Sequence, residues 1–286
     1  MISLVGIGTA GSNVVGQFAG NKEYKLFQLS NQFSKTSGGQ YKLKKYDKIE
    51  DYEKNIPKLS KFFKGISNNV QAFVCGSSKS AVMTLGILEQ IKHTKIDLFY
   101  IRPDTELLIG NSRLQEKAVF GILQEYARSG LINSITIFSN PILEEIIGNV
   151  PIKKYFETIN QTIYYSVHYK NLFDHTQPII GNLSKPSDVQ RIRSLGRLDT
   201  NKVEEKWFFD LDMSRDVCYY FCISQEKLEK DGGLHQRIIE KLKQKPKNAF
   251  KNITYAIYES PYDEDFGFCV AHTNAIQKTL DKVDQE

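Results

Sequence analysis

A short apolar strand that runs into glycines and then into a helix constrains this chain more than any other feature. Residues 2–8 form the apolar run, the motif Gly6-Ile-Gly8-Thr-Ala-Gly11 closes it, and residues 11–19 read as a helix. Glycine lets the backbone turn sharply and leaves N–H groups open to a close approach. The start of a helix adds unpaired donors and a positive partial charge, which suits a phosphate. The same alternation then continues. Residues 24–30 read as a strand, 35–48 as a polar loop and 50–65 as a helix. Residues 70–75 form a buried strand, 81–92 a helix, 96–101 a strand, 114–128 a helix and 132–138 a strand. Repeated βα order calls for a mostly parallel sheet covered by helices, with ligands at the carboxyl ends of its strands.

The second half has a different texture. Residues 152–173 keep a helical pattern without Gly or Pro, and a loop with Pro178, Gly181 and Pro186 follows. From Lys206 onward the chain is β-rich, with expected strands at 207–213, 217–224, 253–260 and 266–272 and one helix at 225–243. The expected layout is an α/β nucleotide-binding domain at 1–150 and a connecting helix at 151–177. A smaller α+β domain at 178–274 and a polar, fraying tail at 275–286 complete it.

Composition excludes several classes. With 41% hydrophobic and 25% charged residues, the 286-residue chain is neither disordered nor collagen-like. No apolar run approaches the roughly 18 residues of a membrane span, and the N-terminus lacks the basic region of a signal peptide. The net charge of +5 is too small to imply nucleic-acid binding by itself. Cys75, Cys218, Cys222 and Cys269 form no CxxC pair, and the five histidines share no metal spacing. Reduced thiols in a cytoplasmic protein without a metal site follow.

Two nucleotide classes compete for the glycine loop. A dinucleotide site needs a carboxylate about 20 residues on, for the ribose hydroxyls. The second strand ends at Leu29-Ser30-Asn31-Gln32, with no carboxylate there. An NAD-dependent oxidoreductase therefore rests on Gly6, Gly8 and Gly11 alone. No GxxxxGK[ST] loop is present.

The stretch GIGTAGSNVV, residues 6–15, resembles the first nucleotide loop of the tubulin/FtsZ family, whose bacterial form reads GVGGGGGNAV. On that resemblance Gly6, Gly8, Gly11 and Ser12 shape the loop, Asn13 reaches the guanine base, and Asn31 matches the second loop. Residues 103–122 resemble PFxFEGxxRxxxAxxGI, which places Arg113 near the ribose or phosphates. Residues 132–143 resemble DTLIVIPNDxL, so Asn140 matches a base- or ribose-contacting asparagine. The segment Phe156-Glu-Thr-Ile-Asn160 resembles FxxAN of the central helix, with Phe156 stacking on guanine and Asn160 hydrogen-bonding its edge. Residues 182–189 resemble NxDFADV, the loop that completes the GTPase site of the next subunit, with Asp188 as its carboxylate. The resemblance covers about residues 1–200. It implies GTP or GDP binding with Mg²⁺ as an accompanying ion, and head-to-tail self-assembly into filaments.

The chain also departs from the family. Its phosphate loop, GGGTG[ST]G in the family, is Cys75-Gly76-Ser77-Ser78-Lys79-Ser80-Ala81 here. Lys79 stands where glycine is usual and brings a cation that could partly replace Mg²⁺. No glycine-rich third loop lies between 44 and 58, the acidic residue four before Arg113 is Ile109, and the first catalytic aspartate corresponds to Ser184. Two readings follow: weak GTP hydrolysis completed by Asp188 of the next subunit, or an assembly protein that binds nucleotide without turnover. The family uses filaments in cell division or to position plasmid or phage DNA. Two lysine clusters stand out, the first a solvated loop by default or a contact to DNA or an acidic partner, the second a candidate contact to DNA or a DNA-bound adaptor. They are Lys42, Lys44, Lys45 and Lys48, and Lys241, Lys243, Lys245, Lys247 and Lys251.

Overall fold

The structure, a computed structural model, describes residues 1–246 and 251–278. The chain divides into two compact units: Met1–Tyr164 with the segment from Ala275, and Tyr165–Asn274. No helix among the described residues is long and apolar enough to cross a membrane.

The first unit is built on six parallel strands. They are β1 (Ile2–Ile7), β2 (Tyr24–Ser30), β3 (Gln40–Lys42), β4 (Asn69–Cys75), β5 (Lys95–Arg102) and β6 (Ser134–Ser139). Their spatial order is β3-β2-β1-β4-β5-β6. Ile7 pairs with Leu29 and Val74, Cys75 with Ile101, and Arg102 with Ser139, so the carboxyl ends of the strands line up. Central strands of a parallel sheet are covered on both faces and read as unbroken apolar runs. Accordingly β4 is buried from Val70 to Cys75 and β6 throughout.

Six helices belong to or begin in this unit: α1 (Gly8–Gly16), α2 (Ile49–Lys54), α3 (Thr84–Glu89), α4 (Asn111–Ser129), α5 (Asn140–Ile147) and α6 (Tyr155–Phe173). α4 buries Val119, Phe120, Leu123 and Ala127 at helical spacing. Phe18 packs edge-on against Tyr164 of α6, with ring centroids 4.7 Å apart. Phe73 stacks on Phe99 at 4.8 Å.

In the second unit β7 (Ile180–Asn182), β8 (Ile192–Asp199), β9 (Glu204–Trp207), β10 (Asp216–Ile223), β11 (Asn252–Glu259) and β12 (Phe266–Thr273) form a mixed sheet. The order is β8-β12-β10-β11-β7, with β9 on β8. α7 (Gln225–Lys230) and α8 (Leu234–Gln244) follow β10. Leu234, Ile238 and Leu242 of α8 join Tyr219, Phe221 and Ile223 in one core. Tyr220, on the alternate side of β10, stacks on Phe268, and Phe173 of α6 packs on Tyr258. Both faces of β10 are thereby covered, which explains its apolar run.

Several expected elements differ in extent. The helix expected over 50–65 stops at Lys54, because Pro57 removes a backbone donor and disfavours helix just before it. Its apolar residues are still used: Phe62 and Phe63 pack on Phe27. The loop at 35–48 contains β3, and the helix at 81–92 begins as a 3-10 turn, Lys79–Met83. The helix at 225–243 breaks at Asp231-Gly232-Gly233 into α7 and α8. The strand expected over 207–213 lies earlier, at β9, since Asp210 and Asp212 suit a strand poorly. β8 and α5 had no counterpart in the sequence reading. Within the expected tail, Gln277 is buried and its backbone pairs with the Gln124 amide at 2.7 and 3.1 Å. Residues 279–286 lie outside the described residues.

All four cysteines are free and buried. His272 on β12 is buried too, and its Nδ1 has no hydrogen-bond partner among the described residues. Burial, and then the positive charges of Arg193 and Lys170, push its pKa well below the ordinary histidine value. The folded state holds the ring neutral while the unfolded chain protonates near pH ~6.5. This contribution to stability is therefore complete above that pH and is lost as pH falls below it. The urea midpoint, followed by the fluorescence of Trp207 in the same unit, is expected to fall from about pH 7.5 to about pH 5.5. The fall should be smaller in His272→Gln.

Candidate functional site

The loops that follow β1, β2, β4, β5 and β6 all leave the same edge of the parallel sheet. α1 begins at Gly8, whose φ of +77° is a conformation that a side chain strains. A methyl group on Gly8 would stand 2.7 Å from Ser80 Oγ and 3.0 Å from Ser78 Oγ. The first loop and the phosphate loop are thus in contact, and glycine permits it. Gly6 and Gly11 complete the turn, with Gly11 against the Phe73 carbonyl of β4. The Ser12 hydroxyl is buried and faces the Gly6 and Leu29 carbonyls at 3.3 and 3.2 Å, so it ties α1 to β1 and β2. Asn13 is exposed.

The loop after β4 is shaped by its own serines. The Ser78 hydroxyl accepts from the Ser80 amide at 3.3 Å and caps the 3-10 turn. Ser78 and Ser80 hydroxyls lie 2.6 Å apart. Ser77 contacts the Cys75 thiol at 3.3 Å. Burial raises the pKa of that thiol. Gln115 of α4 donates to the Ser78 carbonyl at 3.0 Å. Beneath Gly76 lies a buried polar group: Tyr100 donates to Glu116 at 3.2 Å, and Arg102 reaches the same oxygen at 3.4 Å. Burial, and then the charge of Glu116, push the Tyr100 pKa well above the usual phenol value.

A cavity of about 360 Å³ opens at this edge. It is lined by Thr9, Asn31, Ser78, Lys79 and Ser80, and by Lys45, Tyr46, Asp47 and Tyr52. The structure therefore gathers Asn31 and the phosphate-loop residues around one space, with Gly8 in contact with their hydroxyls. Tyr46 and Asp47 were legible only as part of a polar loop, and Lys45 only as one of a lysine cluster read as a contact to DNA or an acidic partner, because nothing in their spacing marks a nucleotide site. That loop is pinned at several points. Leu43 donates its amide to the Ser30 carbonyl at 2.9 Å, Tyr46 donates its amide to the Tyr52 hydroxyl at 3.1 Å, and Lys79 Nζ donates to the Asp47 carbonyl at 2.7 Å.

The other expected residues stand elsewhere. Arg113 is half-buried in the first turn of α4. Asn140 opens α5 directly after β6, and its Oδ1 is buried with no hydrogen-bond partner among the described residues. At the start of α6, Phe156 is 70% exposed and Asn160 is buried. These residues do not line the cavity. Asp188 belongs to the second unit, is exposed, and pairs with Lys185 at 3.1 Å. Of the basic residues in the last turn of α8 and after it, Lys245 pairs with Glu205 and Lys241 with the Asn201 carbonyl, while Lys243 stays exposed. Lys247 lies outside the described residues.

Comparison with solved structures identifies this arrangement. An FtsZ of M. jannaschii superimposes with a TM-score of 0.69 at 13% identity, over 95% of this chain and 88% of that one. The fold is that of tubulin and FtsZ. TubZ of Bacillus thuringiensis serovar israelensis, in a GTPγS-form protofilament, is similar at TM-score 0.66 and 10% identity, over 96% and 87% of the two chains. A TubZ of type III plasmid segregation is similar at TM-score 0.63 and 12% identity, over 96% and 88%. No protein-family model matches the sequence, and no curated protein matches it either. At these identities the tubulin/FtsZ fold is kept while most side chains have changed.

The cavity's donors bear on a metal ion. Mg²⁺ in phosphate sites takes oxygen ligands, usually with one or two carboxylates. The lining offers one acidic side chain, Asp47, and two ammonium groups. Among the described residues no three His, Cys, Asp or Glu side chains converge on a point. The lining therefore forms no all-protein cage for a divalent cation.

Gly76 offers a direct test of the packing under the loop. A methyl group there would stand 2.1 Å from the Tyr100 hydroxyl, whereas one on Gly121 of α4 would meet nothing. Gly76→Ala is expected to cost about 1–3 kcal/mol in urea unfolding. Gly121→Ala should stabilise by up to about 1 kcal/mol.

Proposed function

We propose that this protein binds a guanine nucleotide at the carboxyl edge of its first unit and assembles head to tail into filaments. One observation carries the reading: in a tubulin/FtsZ fold, the first loop, Asn31 and the Ser78–Ser80 turn converge on a single cavity. Serine hydroxyls, backbone amides of the Gly6–Gly11 turn and two lysines are the groups that hold phosphates. Asn13, Arg113, Asn140, Phe156 and Asn160 are assigned to the base and ribose. The unpartnered Asn140 Oδ1 and the exposed face of Phe156 support this, since a base offers a donor to the first and a stacking surface to the second.

A head-to-tail contact is heterologous and need not close, so one chain can extend a filament. In it, Asp188 of one copy is assigned to the nucleotide of the next, where it would orient and deprotonate the attacking water. Hydrolysis is expected to be slow. Ser184 stands where the family has a second carboxylate, and Lys185 competes for the oxygens of Asp188. The same two observations favour a second reading, a polymer that binds nucleotide without turnover. By analogy with the plasmid-segregation TubZ, the filament is proposed to act in the cytoplasm on plasmid or phage DNA through a DNA-bound adaptor. The exposed Lys243 is a candidate contact.

Labelled GDP or GTP should bind, and GTP should yield pelletable polymer. Failure of both would remove the reading. Asp188→Ala should leave nucleotide affinity intact and lower phosphate release by about tenfold or more. Phosphate release at the buffer level in the parent protein, with binding and polymer intact, would select the non-hydrolysing reading.

A further inference from the structure

We propose that Lys79 and Lys45 form a clamp on the nucleotide phosphates that takes over the charge neutralisation otherwise supplied by a divalent cation. Guanine nucleotide binding is then independent of Mg²⁺. This rests on the nucleotide reading above and concerns the same cavity.

The two lysines come from different loops. Lys79 enters from the phosphate loop at the start of a 3-10 turn, and Lys45 from the loop that follows β3. Their backbones are held in place before any ligand arrives. The Lys79 side chain is anchored on the Asp47 carbonyl at 2.7 Å, two residues from Lys45. Tyr46, between Lys45 and Asp47, lines the same cavity and is held through its amide by the buried Tyr52, while Lys44 lies over its ring at 5.1 Å. The 43–48 segment is therefore a strap tied to β2 at Leu43, to α2 through Tyr52 and to the phosphate loop through Lys79.

The charge balance follows from this geometry. Two ammonium groups and one carboxylate face the cavity, so its lining attracts a polyanion and repels a second cation. A divalent ion on the phosphates would be placed among those ammonium groups, with Asp47 as the one carboxylate of the lining. Lysine binds phosphate as a point charge with three donors and needs no metal to do so. A cation at position 79 also has a structural consequence that glycine would not have. It links the phosphate loop to the strap through the Asp47 carbonyl.

The test measures equilibrium binding of labelled GDP to the full chain, once with Mg²⁺ and once with excess EDTA. The expected result is the same Kd within about threefold in both conditions. Lys79→Ala should weaken binding in EDTA by about tenfold, and Lys79→Arg should restore most of it. Lys45→Ala should act in the same direction, with circular dichroism unchanged because both side chains are exposed. Binding that EDTA abolishes and Mg²⁺ restores would overturn the clamp and leave the nucleotide reading standing. Unchanged affinity in both alanine variants would overturn it as well. No binding in either condition would overturn the clamp and the nucleotide reading together.

Discussion

The contact on which the site depends is the approach of α1 to the backbone of β4. A methyl group on Gly11 would lie 2.2 Å from the Phe73 carbonyl oxygen, so any larger residue would push the helix away from the sheet. With glycine there, α1 sits close enough for Gly8 to touch Ser78 and Ser80. The buried Ser12 hydroxyl, facing carbonyls of β1 and β2, fixes the same helix from the other side. Two loops far apart in the chain thus become one surface. The rest of the carboxyl edge inherits its position from the parallel register of β1, β2, β4, β5 and β6.

Charge is the second theme of that edge. The family's glycine-rich phosphate loop works through backbone amides, whereas here the loop after β4 is built from serines that hydrogen-bond one another and a lysine that donates to the Asp47 carbonyl. On the proposed nucleotide reading, side chains here take over part of what backbone amides do in the family. The buried Tyr100, Glu116 and Arg102 under Gly76 give this serine-rich loop a fixed base. The carboxylate assigned to hydrolysis is altered in the same spirit, with Asp188 paired to Lys185.

Much of the fold was legible in the sequence because its signals are local. The glycines after β1, the apolar runs of β4 and β6, and the uninterrupted helical pattern of α6 each follow from chain geometry over a few residues. Elements whose stability comes from distant partners were not legible. β8 carries Arg193, Arg197 and Gly196 among its apolar residues, and it is a strand because β12 and β9 supply the ladder on both sides. Phe208 and Phe209 are buried just past the end of β9, where Phe208 donates its amide to the Leu195 carbonyl of β8 at 2.8 Å and Phe209 donates to the Ser194 hydroxyl. Tyr46 and Asp47 carry no motif, Lys45 stands out only within a lysine cluster, and their place in the cavity depends on tethers to Ser30, Tyr52 and Lys79.

By itself the sequence determined the α/β class, the turn after the first strand and the loop that follows β4. Those depend on which residues can adopt a given backbone conformation next to their neighbours. The tertiary structure alone decided which of the many lysines face the cavity and which are paired elsewhere. Lys79 and Lys45 meet one space, while Lys245 is paired to Glu205. That assignment rests on packing between segments separated by tens of residues. A lysine carries the same charge wherever it stands, and only its neighbours in space direct that charge to a ligand or to another side chain.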